Sequence, residues 1–480
     1  MRGWLRPNKA WRARLALLFL AGSLGLSSQS FYTLQPRVGV YQMAEKGWEP
    51  LTLHLTALDL ILNQRARTTF YLGPRMASNF LGVRAGYISL GGHAGIQHQI
   101  NLKLRLRAEI DGSAGGGGYA QDGDGWVLGS TASLFYGGRA QHLEAGLTYH
   151  YASGGMIGGF SPVIGWTKSV EFLKAKSSVE HAHSGSPMPI DFCLSGQWNL
   201  GKRPFGNQDG SKVFPFFLVG STIGFESNRI QHRFSLNAAV DTFGGYMNVI
   251  NSMGFLMLNS KWISLSPEVY LGAGGGGRAL FLKGGLHYGV GVVSDFNVSD
   301  LYAFRVSLQK MHTNGPWSYT GVQLGLRKKV SVLSGNSVNS RPTVITNSTE
   351  RIILSPGIKV HLSDLGSVLS IGGELNLFQK QNFDVFASTW WAAVGGNRGA
   401  YAEGLMGMRW WLSKNLAMKS SIGVGAGGGV NHLDDATIGS LGVIFGQSTT
   451  LSLEFWRKAP TLFSATLNVP IEFSLAGFRE

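Results

Sequence analysis

The sequence predicts an all-β fold: a large antiparallel transmembrane β-barrel of roughly 20–24 strands built from three diverged repeats, with three tandem small barrels as the alternative. Three observations carry this expectation. One short phrase occurs three times, as Ile110-Asp-Gly-Ser-Ala-Gly-Gly-Gly117, Val269-Tyr-Leu-Gly-Ala-Gly-Gly-Gly276 and Ile422-Gly-Val-Gly-Ala-Gly-Gly-Gly429, at offsets of 159 and 153 residues (269 − 110 and 422 − 269). A fixed long period of this kind marks a repeated structural unit. Apolar residues alternate with a period of two, without a break in Leu102-Lys-Leu-Arg-Leu-Arg-Ala-Glu-Ile-Asp111, the pattern of a strand with one apolar and one polar face. Charged residues make up only 14% of the chain while glycine reaches 68 residues, a composition with few wetted faces and many tight turns.

Taken from its start, the chain opens with five basic residues (Arg2, Arg6, Lys9, Arg12, Arg14), an apolar run from Leu15 to Leu26, and Ser27-Ser28-Gln29-Ser30. This is the layout of a secretory signal peptide over residues 1–30, with cleavage near Ser28 or Ser30. The run is too short to span a membrane as a helix. With no cysteine directly after it, lipid anchoring through a thiol is excluded. The predicted mature chain is 31–480, divided into units at approximately 31–175, 188–335 and 348–478.

Within each unit the glycine phrase is followed by a second glycine-aromatic segment: Gly129–Gly137, Gly284–Val292 and Ile438–Gly446. Alternating runs such as Leu51–Leu60 and Leu467–Leu475 are bounded by turn-forming groups, among them Asp122-Gly123, Asn207-Gln-Asp-Gly210, Ser334-Gly-Asn336 and Gly396-Asn397. Two polar stretches without periodicity, Lys174–Pro189 and Ser334–Glu350, lie at the joins between units and are expected to be linkers.

Alternation alone serves a soluble sandwich as well as a membrane barrel. Three features favour the barrel. Many runs approach the ~9–11 residues that tilted membrane strands need. Tryptophans fall near the ends of runs (Trp126, Trp166, Trp198, Trp262, Trp317, Trp390-Trp391, Trp410-Trp411, Trp456), where interfacial girdles place them. Closure removes the exposed edges that so many strands would create. In its leader and in a final alternating strand with Leu467, Val469, Ile471, Phe473 and Leu475 on one face, the chain resembles bacterial outer-membrane β-barrel proteins. The resemblance implies an outer-membrane location and folding by the barrel-assembly machinery, which recognises a terminal aromatic residue. Here Phe473 and Phe478 stand nearest the end, and Arg479-Glu480 depart from the pattern. Pro470 removes a ladder donor, which a bulge tolerates.

The net charge of +15 contains the five leader charges, and the remainder is scattered along strand ends and loops. No basic block with interleaved aromatics appears, so nucleic acid is excluded as a partner and membrane lipids are expected instead. The single cysteine, Cys193, excludes an internal disulfide and reads as a small buried residue.

The glycine runs Gly115-Gly116-Gly117, Gly274-Gly275-Gly276 and Gly427-Gly428-Gly429 are followed by glycine or valine and then Tyr119, Arg278 or Asn431, not by the Lys-Ser/Thr pair and helix of a phosphate loop. They are therefore read as structural, a place where strands bend or another backbone approaches closely. A surface for a partner or plug is the second reading. Asp122, Asp124, His432, Asp434 and Asp435 suggest a water-activating carboxylate group, but the second unit has Arg278 and Lys283 there. His181 and His183 could meet a metal, yet lie in a polar linker without further ligands nearby in sequence. Glu109 and Glu268 stand at equivalent positions, five residues before the repeated alanine, with Ser421 in the third unit. They are candidate lumen carboxylates, either tuning a pore or bonded to neighbouring arginine or lysine.

The function expected from these observations is a passive channel, or the membrane-embedded component of a transport or secretion assembly with a protein partner. A structural or adhesive barrel with a filled lumen is the first alternative and a barrel-embedded hydrolase the second. No cofactor, metal or catalytic residue is expected.

Overall fold

The computed structural model describes residues 31–476 except 66, 83–85, 118–119, 121–124, 139–140, 153, 174–185, 203–212, 228, 241–245, 276–284, 300, 316, 335–348, 364–365, 381, 395–401, 427–436, 447 and 457–461. The leader, residues 174–185 of the first expected linker and 335–348 of the second lie outside the described residues, whereas Ser186–Pro189, Ser334 and Thr349–Glu350, expected as linker, belong to strands. Every regular element among those described is a strand.

The first unit runs β1 (Phe31–Met43), β2 (Leu51–Arg65), β3 (Thr68–Leu81), β4 (Ile88–Gln99), β5 (Leu104–Gly116), β6 (Trp126–Gly137), β7 (Gln141–Ala152), β8 (Gly158–Lys168) and β9 (Val170–Leu173). Each strand pairs antiparallel with the next, and β8 returns to β1 from Arg37↔Thr167 to Tyr41↔Val163. The short β9 continues that ladder along Phe31–Leu34. The second unit comprises β10 (Ser186–Lys202), β11 (Val213–Ser227), β12 (Ile230–Ala239), β13 (Met247–Phe255), β14 (Leu258–Asn259), β15 (Ile263–Gly275), β16 (Leu286–Asn297), β17 (Tyr302–Thr313) and β18 (Ser318–Ser334). It closes through β10 and β18, from Ser186↔Ser334 to Gly201↔Tyr319. The third comprises β19 (Thr349–Ser363), β20 (Gly366–Lys380), β21 (Phe383–Val394), β22 (Ala402–Ser413), β23 (Leu416–Ala426), β24 (Thr437–Phe445), β25 (Thr449–Trp456), β26 (Leu462–Asn468) and β27 (Ile471–Ala476). Here β19 takes β20 on one side and β26 then β27 on the other. Pro470 falls in the break between those last two segments.

The sheet thus closes three times, and the expectation of one large barrel through all units is corrected in favour of three small ones. The segments β9, β14 and β27 prolong the strand before them, which leaves eight full strands per unit. Eight strands enclose an interior that side chains can fill. Along the chain β10 begins only 18 residues after β8 ends (186 − 168), so loop entropy alone would join the units; the filled eight-stranded interior is what favours self-closure. A single bridge, Ser334↔Phe172, joins the first two sheets beside the continuous β10–β18 ladder.

Alternation sorts each strand's residues inside and out. On β7, His142, Glu144, Thr148 and His150 are buried in the lumen while Leu143, Leu147, Tyr149 and Tyr151 face outward and are exposed. On β5, Arg107, Glu109 and Asp111 point in, and Leu106 and Ile110 point out with 47% and 67% of their surface exposed. The polarity of a soluble protein is inverted in all three units.

The chain enters each barrel at the rim that carries short turns, here called lower, such as residues 100–103 in the first barrel and 260–262 in the second. The other rim, called upper, carries longer loops, such as 44–50.

The three barrels meet side by side. Strand β3 of the first lies against β15 and β16 of the second, and β21 of the third lies against β5 and β6 of the first. In terms of the repeat these contacts are equivalent: the third strand of one unit faces the fifth and sixth of another. Interfaces that are head-to-tail in this way close into a ring when the rotation permits. A shared apolar cluster of Met76, Ile88, Ala114, Val249, Trp391, Ala393 and Ala402 draws on all three barrels, with Phe234 and Leu236 of β12 packed against it.

Candidate functional site

Each lumen is crossed by a layer of buried ion pairs. In the first barrel Glu109 is the hub. Arg37 donates from Nη2 to both of its oxygens at 3.0 Å, Tyr71 donates its hydroxyl at 3.1 Å, Arg107 pairs with it directly, and Arg75 lies 3.7 Å away. Arg107 also reaches Asp59 at 2.7 Å and lies 4.1 Å above the Tyr71 ring. Asp59 in turn meets His93 at 2.7 Å. Arg75 pairs with Asp111, and Arg37 with Glu144 at 3.5 Å. Space for Tyr71 is made by Gly95 opposite, since a Cβ there would collide with the phenol hydroxyl and with the carbonyl of Ala108.

The second lumen repeats the chemistry with other residues. Glu268 pairs with Arg233. Arg305 donates from Nε to Asp295 at 2.8 Å and from Nη2 to Asp191 at 2.7 Å, and Arg327 donates to Asp295 at 2.6 Å. In the third, Lys359 bridges Glu403 and Glu454, while Arg409 and Lys419 share Glu374, the former at 2.6 Å. Both of these cations lie over the Phe386 ring, at 4.7 and 4.5 Å. Asp384 accepts a hydrogen bond from the Trp411 indole at 2.6 Å.

Counted by formal charge, the described second lumen holds three arginines and Lys329 against Asp191, Glu226, Glu268 and Asp295. The first sets three arginines against Asp59, Glu109, Asp111 and Glu144, with His93 on Asp59. The third sets Lys359, Arg409 and Lys419 against Glu374, Asp384, Glu403 and Glu454, with His361 3.3 Å from Glu454. Near-balance is what burial demands, because an unpaired charge in a dry interior is costly.

Above the ionic layer sits an apolar plug. Tyr41, Met43, Leu53, Leu55, Tyr87 and Val163 belong to it in the first barrel, and Phe216, Leu218, Tyr246, Met311, Trp317 and Tyr319 in the second. In the third, Trp390 and Ile438 are fully buried on inward positions. Two cavities in the second lumen measure about 10 and 30 Å³, room for single waters rather than a solute path.

The outer surface completes the picture. Exposed aromatics ring the lower rim (Tyr136, Phe255, Trp262, Phe296, Trp410, Phe445) and the upper one (Tyr149, Tyr151, Phe160, Trp198, Tyr288), with Leu147, Ile164, Leu308, Leu324, Ile422 and Leu441 between them. Twelve-residue strands tilted by ~40° span about 25–30 Å, the height of a hydrocarbon core. It has the build of an outer-membrane β-barrel.

No family model and no curated protein matches the chain. Among solved structures it is similar to the ferric enterobactin receptor PfeA of Pseudomonas aeruginosa in complex with enterobactin, at 9% identity over 91% of this chain and 81% of the other, with a TM-score of 0.29. The siderophore receptor PirA of Acinetobacter baumannii matches at 8% identity over 92% and 80%, TM-score 0.27. OccK11 (OpdR) of Pseudomonas aeruginosa matches at 11% identity over 93% and 96%, TM-score 0.24. Scores this low say nothing about what this chain binds or moves.

The sequence-predicted residues divide. Glu109 and Glu268 are both inward, each bound to arginine, and in the third lumen Glu374 on β20 and Glu403 on β22 hold the cations where Ser421 on β23 cannot. In the glycine phrase, the alanine faces outward yet is buried: Ala114 and Ala273 have 0% exposure. Ala114 packs in the three-barrel junction, so the phrase lets barrels approach each other. Gly115 and Gly274 face inward, where a Cβ would press on Ser89 or on Asn248 and His287. Gly116 and Gly275 are buried, and Gly117 (φ 95°) makes the turn into the following loop. Gly276, Gly427, Gly428 and Gly429 lie outside the described residues, as do Asp122, Asp124, His181, His183, Arg278, Lys283, His432, Asp434 and Asp435. Cys193 is buried in the second lumen. The strand-end tryptophans are of three kinds: Trp198, Trp262 and Trp410 face outward at the girdles, Trp317 and Trp390 fill lumens, and Trp391 packs between barrels.

One group has the makings of a metal centre. Ligand atoms of His361, Glu403 and Glu454 lie within 4.8 Å of one another, all buried. The Lys359 ammonium already bridges the two carboxylates, so the place a cation would take is filled by a side chain. The arginines Arg37, Arg75, Arg107, Arg233, Arg305 and Arg327 were not singled out by sequence reasoning. Their signal was parity, since Arg107 shares a face with Glu109 and Asp111.

Proposed function

We propose that the protein is a sealed triple barrel of the outer membrane, the embedded component of a larger transport or surface assembly rather than a passive channel. The observation that carries this is the ion-pair layer that crosses each lumen together with the apolar plug above it. A diffusion pore keeps a wetted path lined by charges that are free to meet the solute. Here most of the described lumen charges are paired with one another across the barrel, and the two cavities described in the second lumen are water-sized. Such an interior stiffens the staves and presents the loops of three barrels as one surface, which suits docking of a protein partner. Export through the leader and insertion by barrel-assembly machinery belong to the same reading, as does the absence of any catalytic role for lumen carboxylates such as Glu109, Glu268 and Glu403, each paired with a cation.

The test is electrical. The full chain reconstituted in planar bilayers is expected to give no stepwise conductance above the lipid baseline. Regular ohmic steps from purified protein, abolished by no change in detergent, would restore the channel and end this proposal.

A further inference from the structure

The two rims differ in charge. At the lower rim Arg67, Lys103, Arg229, Lys261 and Lys414 are exposed in or beside the short turns, and Lys168 stands half-buried at the end of β8. All three barrels contribute. Lys168 of the first lies within electrostatic reach of His232 on the second, so the cations continue across the junction. Among the described side chains the acids near this rim face a lumen: Glu226 is half-buried and hydrogen-bonded by Gln231 at 3.1 Å, Asp295 is bound by Arg305, and Asp384 accepts from the Trp411 indole. At the upper rim the described charges mix signs, with Glu45, Lys46, Glu49 and Lys310. The basic residues stand just beyond the lower aromatic girdle, and Lys261 lies 5.2 Å above the ring of Trp262, itself 70% exposed. That is the depth at which lipid phosphates lie when an indole sits at the headgroup boundary.

We propose that this rim binds the phosphate headgroups of anionic glycerophospholipids in the leaflet it faces, gathering an annulus enriched in them. The inference rests on the membrane reading above. Among the described side chains no carboxylate forms an ion pair with these cations, which are spaced around three barrels rather than clustered in one pocket and stand in turns of one rim. A flat ring of this kind suits many small anions arrayed in a plane. The attraction is electrostatic and falls within a Debye length, about 8 Å at physiological salt.

The test uses the full chain refolded into phosphatidylcholine vesicles containing a spin-labelled lipid, either phosphatidylglycerol or phosphatidylcholine. The wild-type protein is expected to immobilise the anionic label in preference to the neutral one, with the preference shrinking in 1 M salt. The combined variant Arg67→Gln, Lys103→Gln, Lys261→Gln, Lys414→Gln is expected to lose most of that preference, by roughly tenfold in the relative association constant. It should still immobilise as much neutral lipid, which shows that it remains inserted. The upper-rim variant Lys46→Gln, Lys310→Gln is expected to keep the preference. Equal association of both labels with wild type, or an undiminished preference in the lower-rim variant, overturns the proposal. Absence of any immobilised lipid instead overturns the membrane reading beneath it.

Discussion

Arg305 offers the sharpest perturbation of the lumen. Its guanidinium serves two carboxylates at once, Asp295 at 2.8 Å and Asp191 at 2.7 Å. In Arg305→Met the apolar volume is roughly kept, but Asp191 retains only Arg233 and Arg327, each at 3.9 Å. Asp295 keeps Arg327 at 2.6 Å. Breaking a buried pair by removing one partner costs about 3–5 kcal/mol, and with a carboxylate left nearly bare the upper half of that range is expected. Asp191→Asn alone should cost less, because Arg305 still holds Asp295. The double variant leaves Arg233 and Arg327 against Glu268 and Asp295, two against two. It is therefore expected to recover about 1–3 kcal/mol relative to the sum of the singles. Urea unfolding in vesicles, followed by tryptophan fluorescence, measures all four proteins of the cycle. Strict additivity would refute the argument, since it would mean that Arg305 and Asp191 do not share a charge balance.

Three further outcomes follow from the geometry. Leu147→Lys, at the middle of the outward face of β7, should destabilise the inserted barrel by about 2–4 kcal/mol, and Tyr151→Lys near the rim by about 0–1 kcal/mol; the same unfolding assay compares them. Ala114→Phe should cost about 1–3 kcal/mol by overpacking the junction, whereas Ile110→Phe, two-thirds exposed on the same face, should be nearly neutral. Gly95→Ala should displace Tyr71 from Glu109 and cost about 1–3 kcal/mol, with Tyr71→Phe in the Gly95→Ala background adding little beyond the single change.

Much of this architecture was legible in the residue pattern, and the limits have physical causes. Parity along Leu102–Asp111 placed Arg107, Glu109 and Asp111 on one face correctly, because a strand's side chains alternate whatever the tertiary context. Parity does not say which strand lies across the lumen, so the pairing of Glu109 with Arg37, 72 residues away, was invisible. The repeat announced three units, yet strand count and period are the same for one large ring and three small ones. What decides is whether the eighth strand pairs with the first of its own unit or of the next, and backbone hydrogen bonds carry no sequence label. The alanine at 114 and 273 illustrates a further limit: an outward small residue reads alike whether it meets lipid or another barrel. The three tryptophan environments arise for the same reason, since Trp390 and Trp391 are adjacent in sequence and face opposite ways.

Joining three barrels on one polypeptide has an evolutionary corollary. A homotrimer must tolerate every substitution in three places at once, whereas here each lumen has been free to change alone. The third holds carboxylates with Lys359 and Lys419 beside Arg409, where the described ion pairs of the other two use arginine and, at Asp59, His93. Stoichiometry is set at translation, wrong partners cannot take a barrel's place, and the three loop crowns can specialise for different contacts while their staves remain alike.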